Sequence, residues 1–258
     1  MDKNTFGGIF LAVCLAAALA SCSSAYQITG KSDINSLDGK KLYLKTLSQN
    51  GWVPVDSASV EHGLFSMEGV SDSTIMVSLY MDDESIMPLI LENGFIQVSV
   101  MTGDLRASGT PLNNALYNFI DKRNQLEQQL NSLDRREAQM VMNGANIDEV
   151  HAQIQKEGEE LNRKMNDYVI CFIKDNSNNV LGPSVFLMMC GSMPYPLMTD
   201  EVENIVRSAP VSFKQHPMVQ EFLEKAHENM RLMEEHQRLQ QNIAEKERAA
   251  ANANAANQ

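Results

Sequence analysis

The chain has 258 residues, enough for one large domain or two small ones, and its 33 acidic against 21 basic residues give a net charge of −12. That charge argues against nucleic acid or an anionic membrane face as the main partner, because both recruit a basic surface.

Lys3 supplies a thin positive start, and Phe6 to Leu19 form an apolar run broken only by Gly7 and Gly8. Charge, apolar stretch and small residues in that order mark a secretory signal over residues 1–21, too short for an ordinary membrane span. Leu19-Ala20-Ser21-Cys22 then matches the lipobox of bacterial lipoproteins, where small side chains precede the cut and the cysteine thiol takes diacylglycerol. The plainer alternative is a secretory peptide with an incidental cysteine. On the lipobox reading Cys22 is the lipidation site and the chain meets the membrane through it. Each buried methylene contributes about 0.8 kcal/mol, and several acyl chains together anchor stably. Ser23, not Asp, follows the cysteine, and no acidic cluster precedes Asp33. The expected place is therefore the outer membrane of a cell envelope, facing the periplasm. No later segment is long and apolar enough to span a bilayer.

Residues 26–108 read as antiparallel β structure. Lys41-Leu42-Tyr43-Leu44-Lys45 follows the turn Asp38-Gly39, Trp52 to Val60 gives a second strand, and His62-Gly63 turns into Leu64-Phe65-Ser66-Met67. Ile75, Val77, Leu79 and Met81 alternate with Met76, Ser78 and Tyr80, the period that sends every second side chain inward. Leu89 to Val98 predicts a hairpin about Asn93-Gly94, since that pair tolerates the positive φ of a type I′ turn.

At Thr110-Pro111 the period changes. Thr110 is placed to cap a helix that Pro111 opens, and Leu112, Leu116, Phe119, Leu126, Leu130, Leu133 and Met140 recur at steps of three and four. Asn143-Gly144-Ala145 stops it; Asn146 with Glu149 restarts a second helix carrying Ile147, Val150, Ile154, Leu161, Met165, Tyr168 and Phe172. The two predict an antiparallel hairpin about 40 Å long. Further helices are expected near Pro183–Cys190, after the cap Thr199-Asp200-Glu201, and from Pro217, where the apolar face fades after Met233. From Ala249 the Ala/Asn composition reads as disordered. The expected fold class is α+β: a β-sandwich or open barrel over residues 22–109, a helical hairpin over 110–174, C-terminal helices over 175–239 and a low-complexity tail over 240–258.

Cys14 leaves with the signal and Cys22 is acylated, so Cys171 and Cys190 remain. Packed helices hold their axes about 8–10 Å apart, whereas a disulfide needs α-carbons about 4.4–6.8 Å apart. Buried apolar thiols are expected in preference to a disulfide.

The order of pieces resembles a Gram-negative lipoprotein family in which a domain of unknown function usually precedes an AhpC/TSA-type, thioredoxin-like domain. The matching pieces are Tyr26-Gln27-Ile28-Thr29-Gly30, Leu37-Asp38-Gly39-Lys40, Val55-Asp56-Ser57-Ala58, Gly63-Leu64-Phe65 and Leu91-Glu92-Asn93-Gly94. Ser108-Gly109-Thr110-Pro111-Leu112-Asn113 and Asn176-Ser177-Asn178-Asn179-Val180-Leu181-Gly182 continue the series. The family's redox domain carries Trp-Cys-x-x-Cys. Here the one tryptophan is Trp52, no Cys-x-x-Cys occurs, and too few residues follow Met233 for such a fold. Thiol–disulfide exchange needs a low-pKa thiolate beside a resolving thiol, so that activity is not carried over.

No phosphate-binding glycine loop, nucleophile elbow or His-Glu-x-x-His helix is present, and no catalytic residue, cofactor or metal ligand is nominated. His227, Glu228, Glu235 and His236 read as a solvated helix, because a nine-residue gap sets the histidines on different faces. His151 and His216 lack plausible partners, and Glu157, Glu159 and Glu160 read as a wet face. Met188, Met189, Met193 and Met198 read as core before groove. The expected function is a non-catalytic, lipid-anchored lipoprotein that binds or organises another protein, a separate thioredoxin-like lipoprotein being the version that the resemblance implies. The alternative is a small-ligand or glycan-binding module using Trp52, Tyr43 or Tyr80.

Overall fold

Period-two patterning and helical stripes produce the α+β class expected. A computed structural model describes residues 25–48, 51–191 and 194–256; the signal segment and Cys22 lie outside them. Among the described residues eight strands precede six α-helices. The chain divides into two compact units, Met1–Asn114 and Ala115–Gln258.

In the first unit, β1 (Ala25–Ser32), β4 (Leu64–Val70), β7 (Gly94–Met101) and β8 (Asp104–Ser108) form a sheet of order β4-β1-β7-β8. A second sheet has the order β3-β2-β5-β6, from β2 (Lys41–Ser48), β3 (Gly51–Ser59), β5 (Ile75–Met81) and β6 (Glu84–Leu91). Alternation builds the core: Ile28, Leu42, Leu44, Val77, Leu79, Ile96, Val98 and Val100 are all buried. β1 carries two glycine–aromatic pairings with β4. Gly30 faces Phe65 and Tyr26 faces Gly69. A Cβ on Gly30 would overlap the Phe65 ring, and one on Gly69 would press the Tyr26 hydroxyl at 2.6 Å. Each ring lies over the bare backbone of its partner, which accounts for glycine inside a strand.

Two expectations fail here. Every pairing was expected antiparallel, yet β1 runs parallel to β7. The Asn93-Gly94 hairpin does not form either: β6 pairs with β5 in one sheet, while β7 lies between β1 and β8 in the other. Gly94 has φ +122, but Asn93 does not share the positive φ that a type I′ turn needs at both central residues. The pair turns a corner between sheets. A tight two-residue turn sits instead at His62-Gly63, where Glu61 and Leu64 exchange both backbone hydrogen bonds at 2.8 and 3.0 Å.

The sheets are pinned by a group that sequence reading passed over. The Tyr26 hydroxyl on β1 donates to Asp56 Oδ2 on β3 at 2.8 Å. Burial first, then the hydrogen bond and negative charge of Asp56, push the Tyr26 phenol from 10.0 up to about 12. A folded pKa above the unfolded one adds stability that is complete below the unfolded pKa and disappears as pH rises through the folded one. Unfolding free energy is therefore expected to fall by about 2–3 kcal/mol between pH 10 and 12 from this group alone. Tyr26→Phe should remove that component in denaturant titrations across this range; an alkaline limb of unchanged depth would contradict the assignment.

The second unit contains α1 (Pro111–Met142, its first turn belonging to the β unit), α2 (Ile147–Asp175), α3 (Leu181–Cys190), α4 (Asp200–Ser208), α5 (Val211–Lys214) and α6 (Pro217–Ala256). α1 and α2 form the antiparallel hairpin. Phe119 meets Tyr168 and Phe172 at ring-centroid distances of 5.5 and 4.4 Å, and Leu133 clusters with Val150 and Ile154. Asn146 caps α2 by accepting from the Asp148 and Glu149 amides, and Thr199 caps α4 by accepting from Val202 N. Phe186 packs edge-on against Phe213 and Phe222 at 5.5 and 5.1 Å, joining α3, α5 and α6.

Thr110 stands where expected, just before α1, its carbonyl accepting from Asn114 N at 3.0 Å, but the side chain that satisfies the helix start is another one. Glu92 Oε1 accepts the Leu112 and Asn113 amides at 2.9 and 3.1 Å, while the Thr110 hydroxyl oxygen accepts from Asn113 Nδ2. A carboxylate from the strand corner satisfies the helix start, where its charge also opposes the helix dipole. The tail also departs from expectation. α6 continues to Ala256, through most of the segment 240–258 that composition marks as disordered. Ala has the highest intrinsic helix propensity, with Gln, Glu, Lys and Arg close behind, so this segment extends a helix already begun.

Candidate functional site

Cys22, the proposed lipidation site, lies outside the described residues. Within them, four places gather polar, aromatic or apolar side chains into something other than core.

The first is the outer face of β2, β3 and β5. Tyr43 faces Tyr80 on one side and Ser57 on the other. The Lys45 ammonium stands 4.5 Å above the Tyr80 ring and 5.9 Å from that of Tyr43, and Lys41 lies 5.5 Å from Tyr43. Trp52 leans onto Tyr80 with centroids 5.4 Å apart. Tyr80 is 7% exposed and Trp52 49%. Tyr80 is thus the floor of the cluster and not one of the exposed aromatics expected for a ligand site; Trp52 and Tyr43 reach solvent. Lys45 is already engaged, donating to the Asp82 carbonyl at 3.2 Å with Asp83 at 3.9 Å. Its cation–π contact therefore stiffens the sheet surface. Pro54 and a register shift at Leu44/Lys45 protect β3, the sheet edge, from strand addition.

The second is a groove of about 510 Å³ along α2 and α4, lined by Glu159, Asn162, Arg163, Asn166, Asp167, Ile170, Asn204 and Ser208. Arg163 is flanked by two carboxylates there, so the groove has polar capacity without a dominant charge.

The third is the acidic cluster of α2, which is more than a wet face. Arg136 on α1 donates to both Glu157 oxygens at 2.6 and 3.2 Å, and Gln153 donates to Glu157 as well. The Arg136 hydrogen bond, then that of Gln153, hold the Glu157 carboxyl below its ordinary pKa. His151 is also partnered, contrary to expectation, with Nδ1 3.0 Å from Glu137 Oε1. These bonds tie α1 to α2 across the hairpin. His216 Nδ1 is buried without a hydrogen-bond partner among the described residues, and burial lowers its pKa.

The sulfur groups divide. Cys171 and Cys190 are both free, and Cys190 is buried, its thiol pushed up to about 12 by burial and then by Glu201. Cys171 is exposed, correcting its expected burial; it sits on a solvent-facing side of α2. Met188, Met189 and Met198 are half-buried, and Met193 lies outside the described residues.

The fourth is the outer half of α6. Asn229 donates to the Pro196 carbonyl at 2.9 Å, and beyond it every residue from Arg231 to Glu247 is exposed. Leu232, Met233, Leu239 and Ile243 are 49%, 40%, 56% and 56% exposed. Sequence reading ended the apolar face at Met233 because later apolar residues are sparse. Spacing was the available signal: Leu232, His236, Leu239 and Ile243 recur at steps of four, three and four. His227, Glu228, Glu235 and His236 are all exposed on this helix, and His236 Nε2 meets Gln240 at 2.9 Å. Among the described residues no group of three or more His, Cys, Asp or Glu side chains is arranged to hold a metal ion.

Residues 26–116 match the sequence family described as Domain of unknown function (DUF4369). The match spans the two sheets and the first turns of α1, including Gly30, Phe65, Glu92 and Asn113. No curated protein and no solved structure matched the chain.

Proposed function

We propose that this chain is a non-catalytic lipoprotein of a Gram-negative envelope, anchored through acyl chains on Cys22 to the periplasmic face of the outer membrane, which binds another protein through its helical unit. The observation that carries the reading is the outer half of α6, where Leu232, Leu239 and Ile243 stand exposed and no element among the described residues covers the helix from Arg231 to Glu247. Helical segments in water draw most of their stability from a packed apolar face, and this one exposes its stripe. The lipobox Leu19-Ala20-Ser21-Cys22 supports the anchor, and Ser23 after the cysteine supports the outer membrane. No helix among the described residues is long and apolar enough to cross a membrane, which is compatible with attachment by lipid.

A separate thioredoxin-like lipoprotein remains one partner class, supported by the order of pieces shared with that family. Chemical crosslinking of intact envelopes is the test. A covalent adduct heavier than the chain is expected, and it should be lost when Leu239 and Ile243 are both replaced by Asp. Recovery of the uncoupled chain alone, over a range of crosslinker concentrations, would overturn the protein-binding reading.

A further inference from the structure

We infer that the β unit stands end-on against the bilayer that anchors it, with Leu47, Trp52, Val53, Val70 and Phe95 meeting the phospholipid headgroups around the point where the acylated N-terminus leaves. This rests on the anchoring reading above and says which surface of the chain faces the lipid.

The strand pairings bring the start of β1 and the β2–β3 hairpin to one end of the unit. Ala25 opens β1 opposite Val70, the last residue of β4, and Tyr26 stands beside Gly94, the first of β7. β4 leads directly into β5 and β6 into β7, so Ile75 and Leu91, which face each other, lie at this end too. β2 runs antiparallel to β5, which puts Ser48 and Gly51, the close of the β2–β3 pair, beside them. Leu47, Trp52, Val53, Val70 and Phe95 are the large apolar side chains exposed here; Val55 lies farther along β3, and Leu64 and Leu105 stand at the other end. α1 also begins at this end, but beside β6 and β8, the strands at the opposite edges of the two sheets from β3 and β4. Leu47, Trp52, Val53 and Val70 therefore keep clear of its first turn.

Cys22 precedes Ala25 by three residues, a reach of at most about 11 Å. β1 has eight residues and is about 26 Å long, so acyl chains on Cys22 hold this end, and not the other, at the headgroups. Whether the unit stands or lies down is then decided by the charged side chains that contact would dehydrate. The turns at the far end hold Asp33, Asp38, Glu61, Asp82 and Asp83, with Lys31, Lys40 and Lys41 close by, and Lys45 reaches the Asp82 carbonyl there. The tether end has Glu68, Asp72 and Glu92, and Glu92 is already spent on the Leu112 and Asn113 amides. Lying flat would press the charged end onto lipid, whereas standing keeps it about 25 Å above. With no Lys or Arg at the tether end, attraction to anionic lipid has no part in the contact. Trp52, the sole tryptophan, belongs to the residue type that favours the headgroup layer. Five partly exposed side chains orient the unit, and holding it is left to the acyl chains.

The test reconstitutes the full acylated chain into phosphatidylethanolamine–phosphatidylcholine vesicles, plain or brominated on the acyl chains near the headgroup. Trp52 emission is expected to move to the blue on reconstitution and to fall roughly twofold in the brominated lipid, as an indole at headgroup depth does. A Trp52→Phe/Leu64→Trp variant carries the lone indole to an exposed position at the far end, and bromine should change its emission by less than about a tenth, since it stands about 25 Å higher. A Val53→Asp/Val70→Asp variant keeps Trp52 and should lose most of the quenching while still floating with the vesicles. Both valines are exposed, so far-UV circular dichroism should show the parent fold. Three outcomes overturn the inference: equal quenching of the indoles at the two ends, no quenching of Trp52 in a chain that floats, or quenching that survives the Val53→Asp/Val70→Asp substitution. Each leaves the anchoring reading standing and removes only the orientation. A mature chain that bears no acyl group and does not float removes both.

Discussion

Asn113→Ala is expected to lower the stability of the β unit by about 2–5 kcal/mol, the largest loss from any single polar group in it. Asn113 is fully buried in the first turn of α1. Its Oδ1 accepts from the Ile90 amide at 2.9 Å, and its Nδ2 donates to the Ile90 carbonyl at 2.7 Å and to the Thr110 hydroxyl at 2.9 Å. β6 is the outermost strand of its sheet, so Ile90 would otherwise present an unpaired N–H and C=O at a buried edge. The carboxamide takes the place of a neighbouring strand's peptide group and closes that edge. Alanine leaves both backbone groups without partners, each costing about 1–3 kcal/mol in the interior.

Trp52 is the sole tryptophan and lies in this unit, so denaturant unfolding followed by its fluorescence isolates the effect. Asn114→Ala is the control. Asn114 Oδ1 makes one exposed hydrogen bond, from the Gly109 amide at 3.2 Å, and its loss should cost under about 1 kcal/mol. Asn113→Asp should be at least as damaging as alanine at neutral pH, since a carboxylate would face the Ile90 carbonyl and lie near Glu92. An Asn113→Ala midpoint indistinguishable from the parent would show that water replaces the carboxamide and that the edge needs no protein partner.

What the sequence discloses follows the range of the interactions involved. Alternation in β2 and β5 and the caps at Asn146 and Thr199 depend on neighbours within a few residues, and each is where the spacing predicts. Asn93-Gly94 carries an equally local signal, yet the local preference loses. β7 finds β1, some seventy residues earlier in the chain, and that parallel pairing fixes which sheet it joins. Asn113 reads as an ordinary helix-start residue because nothing nearby announces Ile90, 23 residues away, as its partner. The Tyr26–Asp56 bond is hidden for the same reason. On α6 the apolar face fades after Met233 as the composition predicts, and every residue from Arg231 to Glu247 is exposed. Cys22 stands at the other extreme. The lipidation proposed for it rests wholly on the four residues Leu19-Ala20-Ser21-Cys22, and Cys22 lies outside the described residues.

Cys22→Ala is expected to abolish membrane attachment completely. The argument is additive. One acyl chain holds a protein only marginally, while two or more, at about 0.8 kcal/mol per buried methylene, make the attachment effectively permanent on the scale of a cell's growth. Among the described residues nothing is fitted to substitute for it. Its net charge of −12 opposes an anionic bilayer, and no helix among the described residues is long and apolar enough to cross one. Fractionation should find the parent in the envelope pellet, and mass spectrometry should find acyl chains on a mature chain that begins at Cys22. Without the thiol there is no acceptor for diacylglycerol, and the chain should appear either as an uncleaved precursor or as a soluble periplasmic protein. The soluble form should still fold, because Cys22 precedes β1 and the buried residues Ile28, Leu42 and Phe186 all follow it. Identical processing and an identical pellet for parent and variant would mean that residues 1–21 are a plain secretory signal or none.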